Sequence, residues 1–218
     1  MTVKKYSDKA AFTLAEVLIT LGIIGVVAAL TLPTLVQNYE EKVTVTKMKK
    51  MYNVLSNAYT LYLSEDNPKI NVQYNEEGAI TIANIFLPYL KIARDCGTGD
   101  GTSCIYNGFY TNKNNSTAAN YSNDSKYYKL VLSDGATIWF RAASPNIGII
   151  QYDVNGKNPP NKWGYDLFEF NATDSSIIPA SNFNNGCATA NSNGHGCAIW
   201  IIQQGNMKYI KDHSLTLN

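Results

Sequence analysis

The sequence predicts an α+β protein in which one long N-terminal helix packs on a head containing an antiparallel β-sheet. The first observation is an uncharged apolar run that passes into a segment with apolar residues at helical spacing, ending near Ser64. The second is a change after Tyr127 to short alternating segments separated by turn residues, which is typical of antiparallel strands. Strands that follow a helix, rather than alternate with helices, favour the α+β class.

The composition of the 218-residue chain excludes several classes of protein. Hydrophobic residues make up 45% and charged residues 16%, against about a quarter charged in typical domains. These values exclude a collagen-like chain, a charged disordered chain and a multi-span transporter. The formal net charge of +1 provides no overall basic field, so nucleic-acid binding is not favoured.

The apolar run covers the 20 residues Val17–Val36, which is long enough to cross a bilayer as a helix. Lys4, Lys5 and Lys9 precede it, so we expect the N-terminus to stay in the cytoplasm and the head to be exported. A secretory signal peptide is one alternative, but its apolar core has about 7–15 residues. A plain membrane anchor is the other, and it leaves Glu16 at the start of the run unexplained.

Residues 10–17 read AAFTLAEV, behind a short basic leader and in front of the apolar run. This segment resembles the N-terminal motif of the type IV pilins and the type II secretion pseudopilins. The resemblance implies a pilin-like fold, removal of the leader by a prepilin peptidase that cuts between Ala11 and Phe12, and methylation of the new amine. The family usually has glycine before the cut, where this chain has Ala11.

The resemblance also implies three assembly residues. Glu16 becomes the fifth residue of the mature chain, and Gly25 and Pro33 stand where many family members have glycine and proline. A carboxylate four residues from a buried amine can neutralise that amine, in its own chain or in the next subunit. We therefore expect Glu16 to set the axial register of assembly; the alternative is a carboxylate at the lipid headgroup interface.

This interpretation divides the chain into four parts. Residues 1–11 are a cleaved cytoplasmic leader, 12–36 the transmembrane and assembly half of the helix, 37–66 its amphipathic half, and 67–218 the exported head. In the amphipathic half, apolar residues recur at Met48, Met51, Leu55 and Tyr59. Such a face is suited to packing on the head.

The head contains a short helix within 79–93 that ends or kinks at Pro88, and then two loops. The segment 95–104 is glycine-rich, and 107–124 is polar and expected at the surface. Strands are predicted at 128–132, 136–141, 147–154 and 165–171, the first two as a hairpin. The segment 198–202 fits either a buried strand or a helical turn, with Trp200 in the core.

The four cysteines lie in two local pairs, Cys96 with Cys104 and Cys187 with Cys197. The short loops favour these two disulfides among the three possible pairings, and an exported head permits them. Zinc is the alternative because His195 lies beside Cys197, but the chain has no CxxC spacing.

Asp153, Asn155 and Asp166 surround a glycine turn and could offer oxygen ligands to calcium. The spacing is not that of an EF-hand, because the residue at loop position 12 is Gly164. We favour the other interpretation, in which the Asp side chains cap turns of a hairpin connection and no metal or other cofactor is bound.

The sequence contains no GxSxG, HExxH or P-loop motif, so it indicates that the protein is not an enzyme. We predict a structural pilin or pseudopilin subunit whose partners are the prepilin peptidase and methylase, the membrane before assembly, and other subunits of an extracytoplasmic filament. Two alternatives stay open. One is a minor or tip pilin that captures a surface or DNA; the other is a membrane-anchored exported domain that does not polymerise.

Overall fold

The computed structural model describes residues 13–181, 187–215 and 217. The chain divides into two compact units, Met1–Glu41 and Lys42–Asn218. The helices are α1 (Leu14–Ser64), α2 (Glu76–Phe86) and α3 (Cys197–Gln204), with short 3-10 turns at Leu87–Tyr89 and Lys208–Ile210. The strands are β1 (Ile92–Gly97), β2 (Tyr128–Leu132), β3 (Thr137–Ser144), β4 (Ile147–Asp153), β5 (Leu167–Ala172) and β6 (Ile177–Pro179).

The six strands form one antiparallel sheet in which every strand pairs with the next in the chain, in the order β1-β2-β3-β4-β5-β6. The predicted hairpin is present, and Gly135 takes a φ of 82° in its turn, a conformation that glycine adopts without steric cost. A long N-terminal helix together with this sheet confirms the predicted α+β, pilin-like fold class.

Within the second unit, the amphipathic part of α1 packs on one face of the sheet, as its apolar spacing predicts. Met48, Leu55 and Tyr59 are buried in a core shared with α2 and with alternate residues of the strands, such as Phe140 and Phe170. Hydrogen bonds fix the contact, because the Tyr59 hydroxyl donates to the carbonyl of Thr173 at 2.6 Å.

The opposite face of the sheet is covered by the loop between β1 and β2, and here the prediction of a surface loop was partly wrong. The segment forms no helix or strand, but Tyr110 and Tyr121 are buried and their rings pack against Trp139 of β3 at centroid distances of 5.8 and 5.6 Å. These aromatic side chains, with Trp163 and Leu167, form a second core.

Two strands were not predicted. β1 includes the first residues of the expected glycine-rich loop and forms one edge of the sheet. β6 forms the other edge of the sheet. The ambiguous segment near residue 200 is helical, as α3, and the expected burial of Trp200 is confirmed because its side chain is only 4% exposed. The helix expected near Pro88 is α2, which ends just before a 3-10 turn containing that proline.

Candidate functional site: the N-terminal assembly segment

The predicted cleavage site, Ala11 and Phe12, lies outside the residues that the structure describes. The described chain begins with Thr13, whose contacts with Glu16 are reciprocal. The backbone N–H and the hydroxyl of Thr13 both donate to Oε2 of Glu16, at 2.8 and 2.9 Å, and the N–H of Glu16 donates to Oγ1 of Thr13 at 3.2 Å. Two backbone donors in the first turn are thereby satisfied within the chain.

These contacts form a capping box, the arrangement in which a threonine at the start of a helix and a glutamate three residues later bond to each other's backbone N–H groups. Glu16 was expected to pair with the new amine or to lie at the headgroup interface, and its role in capping was not predicted. The signal was present in the spacing Thr-x-x-Glu before an apolar run. Glu16 therefore has an intrachain partner in Thr13, and its carboxylate can in addition pair with a cation.

The next 20 residues of α1, in the first unit, are apolar and mostly exposed among the described residues. Leu21, Leu30 and Leu35 are 61%, 74% and 66% exposed. By length and composition, α1 is a candidate membrane-crossing helix, with a mean hydropathy of 2.3 over its most apolar window. The exposed apolar surface fits a membrane-anchored protein that also associates through this helix.

Gly25 and Pro33, the other predicted assembly residues, both lie inside this uninterrupted stretch of α1. The space around Gly25 is open, since no heavy atom of the described residues outside its chain neighbours and its own helix backbone lies within 4 Å of the position where a Cβ would stand. Pro33 does not end the helix. Glycine thus leaves the helix surface locally flat, where another helix could approach closely.

In the head, the disulfide between Cys96 and Cys104 closes a loop built around Lys129 of β2. The Lys129 side chain is buried, and its ammonium donates to the carbonyls of Thr98 and Gly99 at 3.1 and 2.9 Å. Burial lowers the pKa of Lys129, while nearby Asp124 and Asp100 oppose that shift. The buried ammonium thus holds the glycine-rich loop in place by binding two of its carbonyls. This role was not predicted from the sequence.

The second disulfide joins Cys187 and Cys197, so Cys197 carries no free thiolate for zinc. His195 instead stacks on Trp163 with ring centroids 3.8 Å apart, and burial lowers the pKa of His195 to about 4. Across residues 13–181, 187–215 and 217, no group of three or more His, Cys, Asp or Glu side chains is placed to hold a metal ion.

The calcium candidates are brought together in a buried turn. Asp153 accepts a hydrogen bond from the hydroxyl of Tyr110 at 2.9 Å and one from the N–H of Asn155 at 3.3 Å. Asp166 accepts from the N–H groups of Asn161 and Lys162 at 2.7 and 2.6 Å. Both carboxylates therefore cap the turn that connects β4 to β5.

Burial dominates the electrostatics of this turn. It raises the pKa of Asp166 to about 6, against the effect of the two N–H donors. It also raises the pKa of Asp153 well above its ordinary value, and the neighbouring charge of Asp166 acts in the same direction. Holding two acids close together away from water therefore lowers the stability of the head.

A long N-terminal helix, an exposed apolar segment and an antiparallel sheet define the class of pilin-like α+β proteins. Residues 6–32 match the family model described as the prokaryotic N-terminal methylation motif. This motif marks type IV pilin and pseudopilin family proteins, so the resemblance inferred from residues 10–17 is confirmed. Proteins with this motif are structural rather than catalytic, and the motif implies processing by prepilin peptidase and assembly with other pilins.

Comparison with curated proteins and with solved structures gives no match.

Proposed function

We propose that this protein is a structural subunit of a type IV pilus or a type II secretion filament. A prepilin peptidase cuts between Ala11 and Phe12, the new amine is methylated, and the subunit leaves the membrane for the filament through its N-terminal helix. The observation that carries the proposal is the coincidence of the methylation motif at residues 6–32 with a helix whose first 20 or so residues are apolar and uncovered.

Glu16 is the residue that links processing to assembly in this proposal. Cleavage places a cationic amine four residues before its carboxylate, and the capping contacts with Thr13 hold that carboxylate at the start of the helix. Moving an amine and a carboxylate out of water as a pair costs far less free energy than moving either charge alone. Pairing of Glu16 with the amine of the next subunit would therefore favour one axial register over all others.

The intact mass of the full chain, purified from a host with a prepilin peptidase and its methylase, tests this proposal. We expect the loss of residues 1–11 and the gain of one methyl group. Ala11→Gly is the matched control and should be processed in the same way, whereas Ala11→Leu should leave the leader in place because its side chain is large. An intact N-terminus on the unaltered chain would overturn the proposal.

A further inference from the structure

A basic groove with apolar walls lies in the second unit, between α1 and the end of the sheet. Its cavity of about 290 Å³ is lined on the helix side by Lys47, Lys50, Met51 and Val54, and on the other side by residues that include Tyr89 and Lys91. The four helix residues are spaced i, i+3, i+4 and i+7, so they share one face. We call this feature the lysine groove.

The lysine groove is preformed. The N–H and the hydroxyl of Ser133 both donate to the carbonyl of Lys91, at 2.8 and 2.9 Å, which ties the strand β1 side of the groove to the β2–β3 turn. The ammonium of Lys47 donates to the carbonyl of Val154 at 2.7 Å. The ammonium groups of Lys50 and Lys91 make no hydrogen bond or ion pair with any described part of the chain, and Asp134 is the single acid in the lining. The groove therefore carries three lysine charges and one acid beside apolar side chains, and two of its ammonium groups are unengaged.

An occupant must supply a carboxylate next to a large apolar group, and the chain itself carries one. On α1, Val36, Tyr39 and Glu40 are spaced i, i+3 and i+4 and so lie on one face. Val36 and Tyr39 are 51% and 68% exposed, and Glu40 is exposed with no partner among the described residues. We call these three residues the Tyr39–Glu40 face.

Three other exposed acids of the head are less suitable because they are already engaged. Glu76 accepts a hydrogen bond from the hydroxyl of Thr98 at 2.6 Å, and Asp95 accepts one from the hydroxyl of Tyr128 at 2.8 Å. Asp100 accepts from the N–H of Thr102 at 2.9 Å. The Tyr39–Glu40 face thus offers an unengaged carboxylate together with an exposed aromatic ring.

We propose that the lysine groove of one subunit binds the Tyr39–Glu40 face of a second copy of this chain. The ring of Tyr39 enters the cavity beside Met51, and the carboxylate of Glu40 pairs with Lys50 and Lys91. For parallel helices, the contact of Glu40 with Lys50 sets an axial shift of ten residues, about 15 Å at 1.5 Å per residue. The inference rests on the proposed function, because it names a contact that would hold neighbouring filament subunits.

A charge exchange tests the contact in the full chain, expressed with a prepilin peptidase and a filament assembly machinery. We expect Lys50→Glu alone and Glu40→Lys alone to lower the yield of sheared filaments by about tenfold each, because each places like charges together. The double variant Glu40→Lys with Lys50→Glu should restore most of the yield. Lys49→Glu is the matched control, since Lys49 is exposed but does not line the groove, and it should assemble normally.

Cysteine cross-linking supplies a second readout. Co-expressed Val36→Cys and Lys47→Cys chains should give a covalent dimer on mild oxidation, because the ten-residue shift places these two positions only about 1.5 Å apart along the helix axes. Lys50→Glu in the Lys47→Cys chain should abolish the dimer. Wild-type filament yield in Lys50→Glu, together with no dimer from the cysteine pair that retains Lys50, would overturn the docking while leaving the proposed function intact. A defect in Lys50→Glu that Glu40→Lys does not rescue, accompanied by weaker binding to anionic lipid vesicles, would assign the groove to lipid headgroups and would also overturn it. Absence of wild-type filaments with an intact leader would instead refute the proposed function.

Discussion

Thr13 and Glu16 cap the N-terminus of α1 through a reciprocal pair of hydrogen bonds, in which each residue's side chain accepts the other's backbone N–H at 3.2 Å or less. The same Glu16 carboxylate is the group that is expected to neutralise the amine created by processing. Its two roles differ in their chemistry, because capping requires only a hydrogen-bond acceptor, whereas neutralisation requires a negative charge. The two roles can therefore be separated by substitution.

Glu16→Gln should keep the cap and lose the charge. We expect this variant to be inserted in the membrane and cleaved normally, but to be lost from sheared filaments, as should Glu16→Ala. Thr13→Val should weaken the start of α1, at a cost of about 1 kcal/mol for a lost cap, yet still enter filaments because the carboxylate remains. The measurement is the amount of each variant in membranes and in sheared filaments. Normal assembly of Glu16→Gln would show that the charge does not set the register.

Lys129→Met should destabilise the head by removing the donor for the carbonyls of Thr98 and Gly99. Hydrogen bonds made by a charged group contribute about 1.5–3 kcal/mol, so the urea midpoint of the detergent-solubilised chain should fall. Fluorescence of Trp139 and Trp163, both buried in the second core, reports the transition. The control is Lys126→Met, because Lys126 is exposed and only stacks over Tyr74 at 4.7 Å. Equal midpoints for both variants would remove the structural role assigned to Lys129.

The sequence predicted the elements whose local pattern matches their environment. Apolar spacing predicted the amphipathic part of α1, and the Asp134-Gly135 turn predicted the β2–β3 hairpin. β1 was missed because it is an edge strand with irregular register, whose exposed Arg94 and Asp95 show no alternation.

The second core could not be predicted for a different reason. Tyr110 and Tyr121 stand in a stretch rich in Asn, Ser and Thr, and their burial depends on Trp139, which comes from a strand later in the chain. The burial of Lys129 could not be predicted either, because lysine is rarely buried without partners. Its partners are backbone carbonyls, which carry no sequence signal. Long-range packing, rather than local pattern, determines both features.

The buried acids predict a pH dependence of stability. Asp166 has an ordinary pKa of 3.8 and a folded pKa of about 6, so the folded state binds more protons than the unfolded state between these values. Stability should therefore be highest near pH 4 and fall as the pH rises to about 6, by up to about 3 kcal/mol. Asp153, whose pKa burial also raises, acts in the same direction. Urea midpoints measured across this range should show the fall, and Asp166→Asn should reduce it. A stability that rises with pH over the same window would contradict the assignment.

Calcium provides the last test of the turn between β4 and β5. The carboxylates of Asp153 and Asp166 already accept hydrogen bonds from Tyr110, Asn155, Asn161 and Lys162, and a cation would compete with those donors for their lone pairs. We therefore predict that calcium, added to chelator-treated protein at pH 7, leaves the melting temperature unchanged, with magnesium as the parallel control. A rise with calcium that Asp153→Ala abolishes would overturn this prediction. The oxygens Oδ1 of Asn155 and Oδ1 of Asn161, buried and without a hydrogen-bond partner in the part of the chain that the structure describes, would then be the next ligand candidates to substitute.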